Sequence, residues 1–128
     1  MTVEEILANV DLLYPNDVQQ EHKWSWVTQI DKLLLDECLL THELKVCEER
    51  KAEEIAGMTT ARRDYEPLAQ PPYHDVYLHY IASKMAQINL DTDQYTNESA
   101  LYNNALLTYK NMFNRTHRSR ETGRKWRV

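Results

Sequence analysis

Apolar side chains recur at intervals of three and four along two adjoining stretches between residues 71 and 115. This spacing places one apolar stripe on each of two predicted helices. Residues 89–93 form a short polar turn between them, in which Asp91 or Asp93 is expected to cap the second helix. Because so short a connection forces antiparallel packing, the stripes can face each other. They consist of Tyr73, Tyr77, Tyr80, Ile81, Met85 and Ile88, and of Tyr95, Ser99, Tyr102, Leu106, Tyr109 and Phe113.

An earlier helix is predicted at the start of the chain. Thr2 and Glu5 have the spacing of a capping box, in which each side chain pairs with the backbone amide of the other residue. The helix should end before Tyr14, because Pro15 disfavours helical geometry in the residue that precedes it. Its predicted apolar face consists of Val3, Ile6, Leu7 and Val10, together with Leu13 in part.

A long second helix is predicted over residues 18–42. Asn16 or Asp17 is expected to supply its N-cap, and apolar residues then recur with helical spacing. Two tryptophans two positions apart point to different faces, so we expect one in the core and the other at an edge or a contact. The predicted stripe consists of Trp24, Val27, Ile30, Leu34 and Cys38, flanked by Trp26, Leu33 and Leu40.

The segment between this helix and the hairpin is highly charged and has little apolar stripe. Residues 48–54 are good helix formers with opposite charges three and four positions apart, which favours a solvated helix ending at Gly57. The alternative is a segment that orders only against a neighbouring subunit. Residues 58–69 are expected to form an exposed arm or loop, and Pro72 to lie in the first turn of the next helix.

The scarcity of chain breakers indicates the fold class. Only two glycines and four prolines occur in 128 residues, which predicts an all-α chain. We expect a small bundle of about four helices with an antiparallel C-terminal hairpin. One helical domain would span 1–117, with 43–70 as an extended charged loop or arm, and 118–128 would form a flexible basic tail. The chain shows neither a membrane span nor a signal-peptide pattern, so we expect a soluble protein without a membrane partner.

The charge of −5 is distributed unevenly. Residues 115–128 contain six basic residues and one acidic residue, whereas residues 1–114 contain nine basic and nineteen acidic residues. This polarity suits head-to-tail contact between copies, or docking of the tail on an acidic partner. An alternative is a small DNA-binding or packaging-accessory protein, although the acidic body would repel DNA. The candidate partner-binding residues are Arg115, Arg118, Arg120, Arg124, Lys125, Trp126 and Arg127.

Catalytic and metal-binding patterns were sought among the titratable residues. His74 and His79 are five positions apart, on different faces of a helix, and are therefore predicted to be surface residues. Cys38 and Cys47 have neither a zinc nor a disulfide spacing, and adjacent glutamates such as Glu48–Glu49 are interpreted as solvated charges. We predict no enzyme, no metal and no cofactor. An enzyme whose site forms only between subunits is a further alternative.

Eight tyrosines are an unusual feature of so small a chain. Tyrosine buries a large ring while its hydroxyl needs a polar partner, which suits half-buried seams and subunit interfaces. We predict that Tyr77, Tyr102 and Tyr109 are core residues. Asn103 and Asn104 lie beside Tyr102 and are candidates to pair with its hydroxyl.

Several motifs follow one another along most of the chain. The N-terminal part carries Thr-Val-Glu-Glu-Ile-Leu, then Tyr-Pro-Asn at 14–16, then Lys23 with Trp24 or Trp26. The hairpin carries a Pro-Tyr start with regularly spaced aromatics (Pro72, Tyr73, Tyr77, Tyr80), tyrosines followed by asparagine (95–97 and 102–104), Phe113, and Asn-Arg-Thr-His at 114–117. In this order and spacing the chain resembles the head–tail connector proteins, also called head-completion or adaptor proteins, of siphophages and prophages.

The resemblance implies an α-helical virion subunit that is made in the bacterial host cytoplasm and assembles at the head–tail junction. It would form a ring, usually twelvefold, beneath the portal. The implied partners are the portal protein, copies of the chain itself, and a stopper or tail-completion protein. DNA would pass through the ring without sequence-specific binding, since an acidic wall offers its phosphates no counterions to displace. The basic tail would dock against the portal or an adjacent subunit.

Overall fold

The computed structural model describes residues 1–62 and 64–119, and the regular structure in these ranges is helical, which confirms the all-α prediction. Five α-helices are present, one more than the approximate number expected. A π-helical turn continues the second helix. The elements are α1 (Val3–Leu13), α2 (Gln20–Leu34), the π turn (Leu35–Leu39), α3 (Val46–Ala56), α4 (Asp75–Ile88) and α5 (Thr92–Thr116).

The first helix begins as its sequence predicts. The Thr2 hydroxyl accepts a hydrogen bond from the Glu5 amide at 3.3 Å, and a Glu5 carboxylate oxygen accepts one from the Thr2 amide at 3.1 Å. The predicted burial of Leu13 is wrong, because Tyr14, four residues after Val10, takes the next position on the apolar stripe. The other four predicted positions are buried: Val3, Ile6, Leu7 and Val10.

The predicted cap of α2 is wrong. Its N-cap is Gln19, which makes no side-chain capping bond, so neither Asn16 nor Asp17 has that role. Asn16 instead closes the turn after α1: its amide nitrogen donates to Asp11 Oδ1 at 3.1 Å and its oxygen accepts from the Val18 amide at 3.1 Å. A side chain committed to the preceding helix is not available to the next one.

The apolar stripe of α2 enters the core and is widened by the π turn. Trp24 and Trp26 are both half-buried, so neither is the fully buried core tryptophan that we expected. The extra residue of a π turn rotates the following side chains, which brings Leu35 and Leu39 onto the core side beside Cys38. Leu40 follows the turn and is exposed. The buried stripe consists of Val27, Ile30, Leu34, Leu35, Cys38 and Leu39.

The charged middle segment contributes to the core. α3 buries Ala52 and Ile55 against α2 and the π turn, while Glu49, Glu53 and Glu54 are exposed. The described residues of 58–69 form a loop, which agrees with the predicted arm or loop, but the segment is not exposed throughout, because Ala61, Tyr65, Pro67 and Ala69 are buried. The expected helix start at Pro72 is also wrong, because α4 begins at Asp75.

The predicted hairpin is present as α4 and α5, which pack antiparallel against each other. Asp91 is the N-cap of α5, with its carboxylate accepting from the Gln94 amide at 3.1 Å. Tyr77 and Tyr109 are core residues, as predicted, whereas Tyr102 is only half-buried, with its ring 5.1 Å from that of Tyr80. The remaining buried stripe residues are Ile81, Met85 and Phe113, and Ile88 and Tyr95 are exposed.

Candidate functional site

A buried carboxylate joins three parts of the fold. Asp31 of α2 is fully buried, and its Oδ2 accepts from the Tyr65 hydroxyl at 2.5 Å and the Leu68 amide at 3.2 Å. Its Oδ1 accepts from the Tyr77 hydroxyl on α4. That hydroxyl in turn accepts from the Ala69 amide at 2.9 Å. The cluster therefore fixes residues 65–69 between α2 and α4.

Burial determines the acidity of this cluster. Removal from water raises the pKa of Asp31 to about 6, although hydrogen bonds from Tyr65 and Tyr77 act in the opposite direction. Burial, followed by the adjacent Asp31 charge, raises the pKa of both tyrosines far above its ordinary value. Both tyrosines therefore remain neutral and donate hydrogen bonds to Asp31.

Two more charged groups in the interior also connect elements. Lys23 is buried, and its Nζ lies 2.6 Å from Asp11 Oδ1 on α1. Burial alone would raise the pKa of Asp11, but hydrogen bonds from Lys23 and two neighbouring amides lower it. Glu98, buried on α5, accepts from the Tyr14 hydroxyl at 2.5 Å and lies 3.0 Å from His79 Nδ1. Both pairs anchor the C-terminal end of α1, where Asp11 and the C-cap residue Tyr14 lie.

Both histidines predicted on the surface are half-buried, which corrects that prediction. His79 points towards Glu98 because α5 covers the flank of α4 on which it lies. The Nδ1 atom of His74, at the start of α4, is buried and has no hydrogen-bond partner within the ranges described above. Over the same residues, no group of three His, Cys, Asp or Glu side chains is placed to hold a metal ion.

The two cysteine thiols have different surroundings. Cys38 is buried in the π turn, and burial raises its pKa to about 11. Cys47 is exposed at the start of α3. Both are unbonded, in accordance with the absence of a disulfide spacing in the sequence.

Residues 117–119, the last that the structure describes, form a ring-stacked contact with the domain that we call the tail root. The His117 ring lies parallel to the Phe113 ring with centroids 3.8 Å apart, and its Nε2 is 2.5 Å from Glu48 Oε2 on α3. The Arg118 carbonyl accepts from the Glu43 amide at 2.7 Å. Residues 118 and 119, the first two of the predicted tail, are therefore held against residues 42 and 43.

Glu48 differs from the solvated charge that we expected. Burial alone would raise its pKa, but hydrogen bonds from the Lys45 amide and from His117 lower it. Among the predicted partner-binding residues, Arg115 and Arg118 are exposed at this end of α5. The others lie outside the described residues: Arg120, Arg124, Lys125, Trp126 and Arg127.

The opposite end of the hairpin, the hairpin tip (residues 88–95), exposes apolar side chains. Ile88 is 59% exposed, Leu90 88% and Tyr95 39%. Leu90 and Tyr95 line a shallow groove of about 160 Å³ together with the exposed carboxylate of Asp91. The acidic side chain of Asp93 is exposed in the same turn of α5. The tip is thus an apolar surface with two acidic groups.

Leu90 has a backbone conformation that disfavours leucine. Its φ is +58°, and it ends α4 in a Schellman motif: its amide donates to the Gln87 carbonyl and the Asp91 amide to the Ala86 carbonyl. This left-handed position is usually occupied by glycine, because a Cβ atom there costs about 1–2 kcal/mol. The exposed leucine side chain recovers little of this cost by packing within the chain.

Replacing Leu90 by glycine should therefore stabilise the fold. We expect Leu90→Gly to raise the free energy of unfolding by roughly 0.5–1 kcal/mol, since the relief of strain exceeds the extra entropy of the unfolded chain. Urea denaturation followed by circular dichroism measures this. Leu101→Gly, inside α5, is the matched control and should lose about 1 kcal/mol. Destabilisation by Leu90→Gly would contradict the proposed strain.

The outer face of α5 has an uncharged surface in a chain of which 27% is charged. Between residues 96 and 114 the charged side chains are Glu98, which is buried, and Lys110, which is half-buried and lies 2.7 Å from Glu37 Oε1. Interface centres have the same depletion of charge. The exposed residues of this face are Thr96, Asn97, Ala100, Leu101, Asn103, Asn104, Leu107, Thr108, Asn111 and Asn114.

Comparison of the chain with protein families, with curated proteins and with solved structures finds no match. None of the helices between residues 1 and 119 combines the length and apolar character that crossing a bilayer requires. The candidate functional surfaces are therefore defined by their own geometry: the hairpin tip, the outer face of α5 and the tail root.

Proposed function

We propose that the chain is a structural subunit of a phage head–tail connector. It would assemble as a ring beneath the portal, extend the DNA channel and provide the surface on which the phage tail docks. The sequence resemblance supplies the class of protein. The observation that carries the assembly is the uncharged, exposed outer face of α5, which extends over about five helical turns.

Electrostatic repulsion explains why this face suits a second copy. Residues 1–114 carry ten more acidic than basic residues, so charged surfaces of two copies repel each other at most mutual orientations. The outer face of α5 avoids this repulsion and presents asparagine and threonine side chains that can exchange hydrogen bonds across a contact. Leu107, 57% exposed near the middle of this face, provides an apolar centre.

The fold holds this face on a firmly connected frame. The Asp31 cluster joins α2 to α4, and Glu98 joins α5 to the end of α1 through Tyr14. α5 has 25 residues, so about 37 Å separates the hairpin tip from the tail root. A subunit with two distinct ends can meet the portal on one side and a stopper or tail-completion protein on the other.

The acidic body suits passage of DNA through the ring. Tight binding of duplex DNA requires basic side chains that neutralise phosphates and release counterions. A channel wall built from the body of this chain would provide few of them. We propose that DNA moves through the assembled ring without sequence-specific contact.

Deletion of the gene from a phage or prophage that carries it tests this proposal. We expect DNA-filled heads without tails, seen by negative-stain electron microscopy, and restoration of tailed particles by the wild-type gene on a plasmid. Leu107→Glu should fail to restore them, because it places a carboxylate in the uncharged face of an acidic protein. Leu40→Glu is the matched control at a leucine 49% exposed outside α5, and should restore them.

Tailed, infectious particles in the absence of the gene would contradict the connector role. Full complementation by a stably folded Leu107→Glu variant would contradict the assembly face. A salt-sensitive shift of duplex DNA, lost on removal of residues 118–128, would instead support the DNA-binding alternative.

A further inference from the structure

We propose that the hairpin tip of one copy binds the C-terminal segment 120–128 of the next copy. This inference rests on the proposed self-assembly and specifies a contact that forms it. The tip supplies the exposed side chains of Ile88, Leu90 and Tyr95, and the segment supplies Trp126 among basic residues.

The structure of the tip indicates a partner. Leu90 combines an unfavourable backbone angle with almost complete exposure, so the isolated chain gains little from leucine at this position. Its groove is open and shared with the ring of Tyr95. Burying these side chains against the ring of Trp126 would remove their apolar surface from water, which stabilises the contact between the two copies.

Charge complementarity favours the basic segment as this partner. Asp91 lines the groove, and Asp93 is exposed nearby in the first turn of α5, so the tip carries two exposed acidic residues. Residues 120–128 contain four basic side chains and one acidic side chain around Trp126. An apolar groove with an acidic rim matches a tryptophan with basic neighbours, and the charges would also orient the approach of the two copies.

Chain length disfavours the tip of the same copy. Ser119 is paired with His42, whose ring lies 5.1 Å from that of Phe113. The 18 residues of α5 between Phe113 and Tyr95 span about 27 Å, whereas the seven residues from Ser119 to Trp126 reach at most about 25 Å when fully extended. Leu90 lies beyond Tyr95 in the turn before α5. Even a fully extended backbone would end short of its own tip at Trp126, which favours the tip of another copy.

A contact between two different surfaces has a consequence for assembly. Tip-to-tail binding is heterologous, so each copy both donates and accepts, and repetition closes a ring or extends a filament. A symmetric contact between two outer faces of α5 would stop at a dimer. The tip-to-tail contact leaves one free tip and one free C-terminal segment after each addition, so further copies can join until a ring closes.

Mixing two complementary full-length variants tests the inference. One carries Leu90→Gly and the other Trp126→Ala, and both carry Leu107→Glu to weaken contact between α5 faces. Native mass spectrometry and sedimentation velocity should show each variant alone as a monomer and the mixture as a 1:1 dimer, because one intact tip meets one intact tail. The Leu107→Glu parent should form larger oligomers.

Salt dependence and a matched control complete the test. Raising the salt from 50 to 500 mM should weaken the 1:1 dimer at least tenfold, and Leu12→Gly, at another exposed leucine, should leave the parent oligomers unchanged. Absence of the 1:1 dimer, or oligomers that persist in the Leu90→Gly variant alone, would overturn the inference. A melting temperature of Leu90→Gly at or above that of the parent excludes unfolding as the cause. The oligomeric state of these variants is measured independently of phage-tail attachment in the gene-deletion experiment. The tip-to-tail contact and the connector role can therefore fail separately.

Discussion

Replacing Tyr77 by alanine is expected to lower the free energy of unfolding by about 4 kcal/mol, the largest single effect that we predict. The ring is completely buried in the hydrophobic core, so its removal loses transfer free energy and leaves a cavity. The substitution also deprives Asp31 of a donor and the Ala69 amide of its acceptor. Urea unfolding followed by circular dichroism measures the loss.

Two control variants separate the ring from the hydroxyl. Tyr77→Phe keeps the ring and should cost about 2 kcal/mol, the typical penalty for a buried group left without its partner. Tyr95→Ala, at the hairpin tip, should change stability by less than about 0.5 kcal/mol. Equal effects of Tyr77→Ala and Tyr95→Ala would contradict the placement of Tyr77 in the core.

Asp31 should make the stability of the chain depend on pH in the direction opposite to that of most carboxylates. Its pKa of about 6 in the folded chain exceeds the ordinary value of 3.8, so the folded state prefers the protonated carboxyl. The resulting stabilisation is complete below pH 3.8 and is lost as the pH rises through 6. A difference of about two pKa units corresponds to about 3 kcal/mol.

Comparison with Asp31→Asn isolates this titration from that of the other acidic groups. Between pH 3.5 and pH 7.5, the free energy of unfolding of the wild type relative to the variant should fall by about 3 kcal/mol. Tyr65 and Tyr77 stay neutral over this range, because burial and the adjacent Asp31 raise the pKa of both hydroxyls far above it, so they add no titration of their own. A difference that stays constant with pH would contradict the raised pKa.

The helices could be predicted because their signals are local. The Thr2–Glu5 capping box, the Asp91 cap and the two aromatic stripes depend on residues three or four positions apart, and such spacings determine helical faces directly. Errors occurred where one side chain had two possible partners. Asn16 could cap the following helix or close the preceding one, and its bond to Asp11 depends on tertiary packing.

The buried polar cluster could not be predicted from such spacings, because its members are far apart in sequence. Asp31 follows Val27 by four residues and precedes Leu34 by three, which places it on the core face of α2; this signal was present in the sequence. Its partners Tyr65 and Tyr77 are 34 and 46 residues away, and only the fold brings them together. The same long-range pairing explains why 58–69 was mistaken for an exposed arm.

The candidate surfaces could be predicted in part. The sequence indicates a helix stop at 89–93, but the positive φ of Leu90 follows from the hydrogen bonds of the Schellman motif. The basic C-terminal segment is evident from composition, whereas its root beside His42 requires the ring stack of His117 on Phe113. The uncharged face of α5 can be recognised only when the structure shows which positions of this helix are exposed and which are buried.

The contrast between the two thiols provides a direct means of observing the tail root. A maleimide dye at neutral pH reacts with thiolate, so it will label the exposed Cys47 and spare Cys38, whose pKa is raised to about 11. Cys47 immediately precedes Glu48, the partner of His117. A fluorophore attached there would lie next to the point where the C-terminal segment departs, and its emission would follow capture of that segment in real time without any engineered cysteine.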